Sequence, residues 1–138
     1  MEWKHEELPY LISDDKQLLD KEQICGWLQT TYWASERSKE MIVKGIENSL
    51  CFGLYGENRL AGFVRVVSDY ATFSWVCDVY IDPAHRGLGL GKWLMEVMVE
   101  HPQIRHTNMT LATRDAHGLY EQYGFERREM MRRMVDSK

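Results

Sequence analysis

Val79-Tyr80-Ile81-Asp82-Pro83-Ala84-His85-Arg86-Gly87-Leu88-Gly89-Leu90-Gly91-Lys92 carries a β-branched and aromatic stretch through a proline turn into three alternating glycines. The residues that follow return to helical spacing: Leu90, Leu94, Val97 and Met98 share one face, and Pro102 predicts an end near His101. Glycine lets a backbone approach a ligand closely, and the first turn of a helix presents unpaired N–H groups at a positive dipole end. Together they make a candidate site for phosphate or pyrophosphate; the plain alternative is a glycine-rich turn that holds nothing. Two other phosphate motifs fail on spacing. A P-loop needs glycine where Arg86 stands and Ser or Thr where Trp93 stands, and a dinucleotide fingerprint needs GxGxxG where this loop reads GxGxG.

The rest of the chain supplies partners for this strand and helix. Leu8–Ser13 reads as a first strand, ended by the turn Ser13-Asp14-Asp15. Asp20 can cap a helix, with Gln23 three positions on and Ile24, Trp27 and Leu28 on one face; Ser35 can cap a second through Met41, Ile42 and Ile46. Leu50, Phe52 and Leu54 alternate, Gly56-Glu57-Asn58 turns, and Leu60–Val67 resumes, so these two stretches predict a hairpin. Thr72–Ile81 is the next strand. Thr107–Ala112 and Phe125–Val135 read as strands around a short helix at Asp115–Tyr123. The expected fold is α/β, with a mixed sheet in the order β-α-α-β-β-β-α-β-α-β and a strand–loop–helix crossover at its centre.

Composition sets the outer bounds. The 138 residues suit one domain, expected to span 1–138, and are 44% apolar and 28% charged, which excludes a disordered or collagen-like chain. A formal net charge of −4 argues against a general nucleic-acid or anionic-membrane surface. No apolar stretch reaches the ~18 residues of a membrane helix, and the charged N-terminus has no secretory core. Cys25, Cys51 and Cys77 are an odd, widely spaced set without a CxxC pair, so no metal site is expected, and each reads as a small buried hydrophobe. A cytoplasmic location is the expectation.

Two segments carry a resemblance to a known family. Arg86-Gly87-Leu88-Gly89-Leu90-Gly91 matches the (Arg/Gln)-x-x-Gly-x-(Gly/Ala) signature of the GCN5-related N-acetyltransferase (GNAT) family, behind a strand Val79-x-Ile81-x-Pro83 that is similar to the family's own. Downstream, Asp115-Ala116-His117-Gly118-Leu119-Tyr120-Glu121-Gln122-Tyr123-Gly124-Phe125 resembles the family's Ala-x-x-x-Tyr-x-x-x-Gly-Phe helix. The resemblance implies acetyl-CoA as acyl donor. Backbone amides of Gly87, Leu88, Gly89, Leu90, Gly91 and Lys92, with Arg86 beside them, would hold its pyrophosphate. Val79 and Ile81 would carry its pantetheine arm as an added strand, and an amide of the same strand would stabilise the oxyanion. Tyr120 matches the tyrosine that protonates the departing thiolate, and Thr113 stands where many relatives place an Asn that donates to the coenzyme.

The general base is open. Asp78 is a charged residue in an apolar strand, but period two sets it with Tyr80, opposite Trp75, Cys77, Val79 and Ile81, unless a bulge intervenes. It is a base displaced by a bulge, a base acting through water, or a structural hydrogen-bonder; Glu36, Asp69 and His117 are rivals. Tyr32, Trp33, Phe73 and Trp75 are candidates to line an acceptor site, where aromatic area suits a hydrophobic or cationic amine. The Arg127, Arg128, Arg132 and Arg133 cluster reads as a solvated face, and its Met-rich strand could pair with a second subunit. The resulting expectation is direct acetyl transfer to a small-molecule amine. Two alternatives stand beside it: a non-catalytic acyl-CoA sensor, and an acetyltransferase of protein lysines or N-termini.

Overall fold

Hydrophobic alternation in the middle of the chain builds the sheet. In the computed structural model, which describes residues 1–135, Leu50, Phe52 and Leu54 of one strand point to one face while Cys51 and Tyr55 point to the other. Among the described residues six strands form: β1 (Glu2–Lys4), β2 (Tyr10–Ser13), β3 (Leu50–Gly56), β4 (Arg59–Ser68), β5 (Phe73–Ile81) and β6 (Asn108–Leu111). They lie side by side in chain order. Every pair is antiparallel except β5 with β6. The expected hairpin is β3–β4, closed at Glu57 and Asn58 with φ of 53° and 62°, the left-handed backbone that a two-residue turn requires.

Helices cover both faces. On one side α1 (Lys21–Leu28) and α2 (Lys39–Glu47) bury Ile24, Leu28, Ile42 and Ile46 against Cys51, Leu60 and Phe63. On the other, α3 (Leu90–Val99) buries Leu90, Leu94, Met95 and Met98 against Phe52, Leu54, Val64 and Val76. A short α4 (His117–Glu121) follows β6. Asp20 caps α1 as expected, accepting from the Gln23 N–H. The cap of α2 is Ser38, not Ser35; its hydroxyl accepts from Met41 N–H, and residues 29–38 form an irregular loop. Among the described residues no helix is long and apolar enough to cross a membrane.

Two elements depart from the expected order. β1 is an added N-terminal strand paired with β2. The final strand over Phe125–Val135 does not form: the segment has no regular structure, and Met131 is 96% exposed. After Phe125 its apolar residues come as Met130-Met131 and Met134-Val135, so a period of two leaves Met and Arg mixed on both faces. The neighbouring β6 also offers only four residues for a ladder.

α3 carries the glycine loop on a continuous core, so its packing can be tested directly. Leu94→Ala, at a fully buried position, is expected to lower unfolding free energy by about 2–5 kcal/mol in urea titrations, with an unchanged m value.

Candidate active site

The sheet splits where the glycine loop begins. β5 pairs with β6 only from Phe73–Val76 to Asn108–Leu111, yet it continues to Ile81. The edge of Cys77–Ile81 that faces away from β4 therefore has no strand beside it among the described residues. Val79 and Ile81 lie on the α3 side. Just beyond, Gly87 and Gly89 take φ of 86° and 77°, a region costly for other residues, and a Cβ at either would meet nothing within 4 Å. Gly89 opens α3 without a side-chain cap. None of the backbone N–H groups from Gly87 to Lys92 has a partner among the described residues, and the first bond of the turn is Trp93 N–H to Gly89 C=O, 3.1 Å. An open cradle of amides at a helix start fits an anionic pyrophosphate. Arg86 braces this cradle: its Nε donates to Ile81 C=O at 2.8 Å, and its guanidinium lies 5.4 Å from the Tyr80 ring centre.

Asp78 sits on a β-bulge. The β4–β5 register slips between Phe63 and Arg65, and Asp78 has a φ of 55°. The slip changes the period-two reading in one respect, bringing Val76 to the face of Val79 and Ile81, while Asp78 stays with Tyr80 as expected. Val76, Val79 and Ile81 pack on the α3 side, whereas Tyr80 stacks on Trp27 of α1 (5.2 Å) and Asp78 turns to the same α1/α2 side. Its carboxylate, 4% exposed, accepts four hydrogen bonds. Arg37 Nη1 reaches both oxygens at 2.9 Å, Arg65 Nε reaches Oδ2 at 2.8 Å, and Trp33 Nε1 reaches Oδ1 at 3.0 Å. Both carboxylate oxygens are thus engaged by side chains of the protein. Of the readings left open for Asp78, the geometry favours the structural one, with the residue pinning the 29–38 loop to the sheet. Arg37 and Arg65 were not anticipated. Arg65 could have been, since it is the lone charge inside the apolar run Leu60–Val67, on the strand next to Asp78.

Tyr120 lies on α4. It lines a cleft of ≈ 1100 Å³ together with Phe73, Trp75, Thr113 and His117; the cleft continues outward between β6 and residues 125–130. Burial pushes its phenol above the ordinary range, with Tyr32 and Asp115 adding to the rise, so it keeps its proton at neutral pH. Thr113 Oγ1 accepts from Ala116 N–H at 3.1 Å and starts the turn into α4. Tyr32 and Trp33 meet edge to face at 5.1 Å, and the Arg114 guanidinium lies 3.4 Å from the Tyr32 ring centre, tying the 29–38 loop to the loop before α4. Phe73 is at the far end of β5, six residues or about 20 Å from Val79. Asp69 is a turn former: it accepts from the N–H groups of Ala71, Thr72 and Phe73 and from the Thr72 hydroxyl, which holds its carboxyl far below the usual range.

The sequence and the fold have counterparts among known proteins. A family profile described as an acetyltransferase (GNAT) domain matches residues 47–127, more than half of the chain. The chain belongs to the GNAT acetyltransferase family. A GNAT-family crystal structure from Xanthomonas campestris pv. campestris shares 40% identity, with a TM-score of 0.89 over 93% of this chain and 95% of that one. A protein of Gibberella zeae named as an acetyltransferase is 30% identical over 66% of this chain, which spans 63% of that relative's length. A Clostridium acetobutylicum structure named as a predicted acetyltransferase with acetyl-CoA shares the fold at a TM-score of 0.66, with 13% identity over 98% of this chain and 96% of that one.

If Asp78 pins the loop, removing its charge leaves two guanidiniums unmatched. Asp78→Asn is expected to cost about 3–5 kcal/mol of stability in chemical denaturation, and limited proteolysis should then cut first within residues 29–38. A loss below about 1 kcal/mol contradicts the pinning role.

Proposed function

We propose that this protein transfers the acetyl group of acetyl-CoA to a primary amine of a small molecule. The observation that carries the reading is the run of unpartnered amides from Gly87 to Lys92 beside the open edge of β5. The loop would hold the donor's pyrophosphate, and the main chain of Val79 and Ile81 would hold its amide-bearing arm as an added strand. The donor supplies a thioester carbonyl: the amine nitrogen forms the new C–N bond while the C–S bond breaks. An N–H of β5 at the open edge would stabilise charge on the carbonyl oxygen. Tyr120, protonated and in the cleft, would give its proton to the leaving sulfur.

The amine must also lose a proton. Asp78 is engaged by two arginines, and His117, one helical turn before Tyr120 and in the same cleft, is the group we assign to receive it. Without a competent base the same cradle would make an acyl-CoA sensor, a reading favoured by the engaged state of Asp78. The three free cysteines fit a reducing cytoplasm.

Free-thiol release from acetyl-CoA, over a panel of small amines and of lysine and N-terminal peptides, tests the reading. Turnover of small amines above peptides is expected. Tyr120→Phe is expected to lower kcat by about 10²- to 10³-fold while the Kd for coenzyme A holds. Coenzyme A binding with no turnover of any amine supports the sensor instead.

A further inference from the structure

A second, smaller cavity lies on the α1/α2 face. It measures ≈ 270 Å³ and is lined chiefly by Leu28, Arg37, Met41, Ile46, Arg65 and Asp78, with exposed Met41 marking its mouth. Whole-ligand sites run from about 300 to 1000 Å³, so this one suits part of a ligand. Its wall includes Asp78, the residue before Val79 on the open strand.

The charge in this cavity does not balance. Two guanidiniums meet one carboxylate. Cys51 and Cys77 add no negative charge, because burial pushes their thiols up to about 12 and about 11. The Lys16 ammonium, bonded to the carbonyls of Ile46, Glu47 and Ser49, adds positive charge nearby. Donors are also in surplus. Arg37 uses only Nη1, and Arg65 uses Nε on Asp78 and Nη1 on Ser49, so Arg37 Nε and Nη2 and Arg65 Nη2 have no partner among the described residues. None of these nitrogens is sealed from solvent: among the described residues the one sealed side-chain polar atom without a partner is Tyr55 Oη. A planar guanidinium, already oriented by one carboxylate and with an open donor edge, is built to take a second oxyanion side-on.

We propose that the acceptor carries an oxyanion, a carboxylate or a phosphate, beside its amine, and that Arg37, backed by Arg65, binds this group in the cavity. The inference rests on the acyl-transfer reading and narrows it to an amino acid or amino phosphate. Arg37 is then specificity-determining, held in place by Asp78.

The test compares butylamine, γ-aminobutyrate and aminopropyl phosphate as acceptors. An oxyanion-bearing acceptor is expected to exceed butylamine in kcat/KM by about 10- to 100-fold, mostly through KM, from the charge-assisted bonds it gains. Which of the two acids leads identifies the group. Arg37→Lys keeps a cation for Asp78 but loses the fork, and Arg37→Gln loses both; each should bring the ratio towards one. Equal kcat/KM values in the wild type, or a preference that survives both variants, overturns the proposal. A second arm needs no turnover: the acceptors are titrated calorimetrically into coenzyme A-saturated protein. If no amine is acetylated, the acyl-transfer reading fails and this arm alone decides the cavity. Saturable heat from either oxyanion-bearing amine but not from butylamine supports the oxyanion site, and its absence for both acids overturns it.

Discussion

A carboxylate buried to 4% exposure must be matched, and the matching of Asp78 organises one side of this protein. Its partners come from two distant places: Trp33 and Arg37 from the loop between α1 and α2, and Arg65 from β4. The four hydrogen bonds also offset a φ of 55°, a left-handed conformation that Asp tolerates better than most residues but that still costs about 1 kcal/mol. The bulge has two consequences. It leaves Val79 and Ile81 facing α3 while Tyr80 stacks on Trp27, and it fastens the 29–38 loop so that Tyr32 can meet Arg114 across the split.

The two sides of the sheet thereby receive different work. On the α3 side, unpartnered amides and an open strand edge suit a long anionic donor bearing amides of its own. On the α1/α2 side, a pinned loop, surplus guanidinium donors and aromatic rings suit a smaller acceptor. The reacting atoms would meet along β5, with Tyr120 reaching in from α4. Long strands fused to helices on both faces give this arrangement the rigidity that positioning requires.

Much of this was legible in the residues. The strand–glycine–helix unit reads from spacing, because glycine at fixed offsets and helical periodicity after it have few other uses. The β3–β4 hairpin reads from alternation, and the Asp20 cap from its position before an apolar face. The bulge did not read, because it depends on a charge pair between two strands and no single strand's period reveals it. Regular alternation set Asp78 with Tyr80, opposite Val79 and Ile81, and that pairing holds; the slipped register instead brings Val76 to the side of Val79 and Ile81. The final strand was read from composition, but its paired methionines give no apolar face and β6 is too short to template it. The expected cap at Ser35 gives way to Ser38, because residues 29–38 follow their contacts with Asp78.

The central claim is that the cradle of amides ahead of α3, with the open edge of β5, holds acetyl-CoA. Calorimetric titration of coenzyme A into the wild type and into Gly89→Trp tests it most directly, with circular dichroism confirming that both are folded. The account predicts saturable binding in the micromolar range by the wild type and none by the variant, whose indole would stand over the loop. A folded wild type that gives no saturable heat, or a folded Gly89→Trp that binds as tightly, would contradict it.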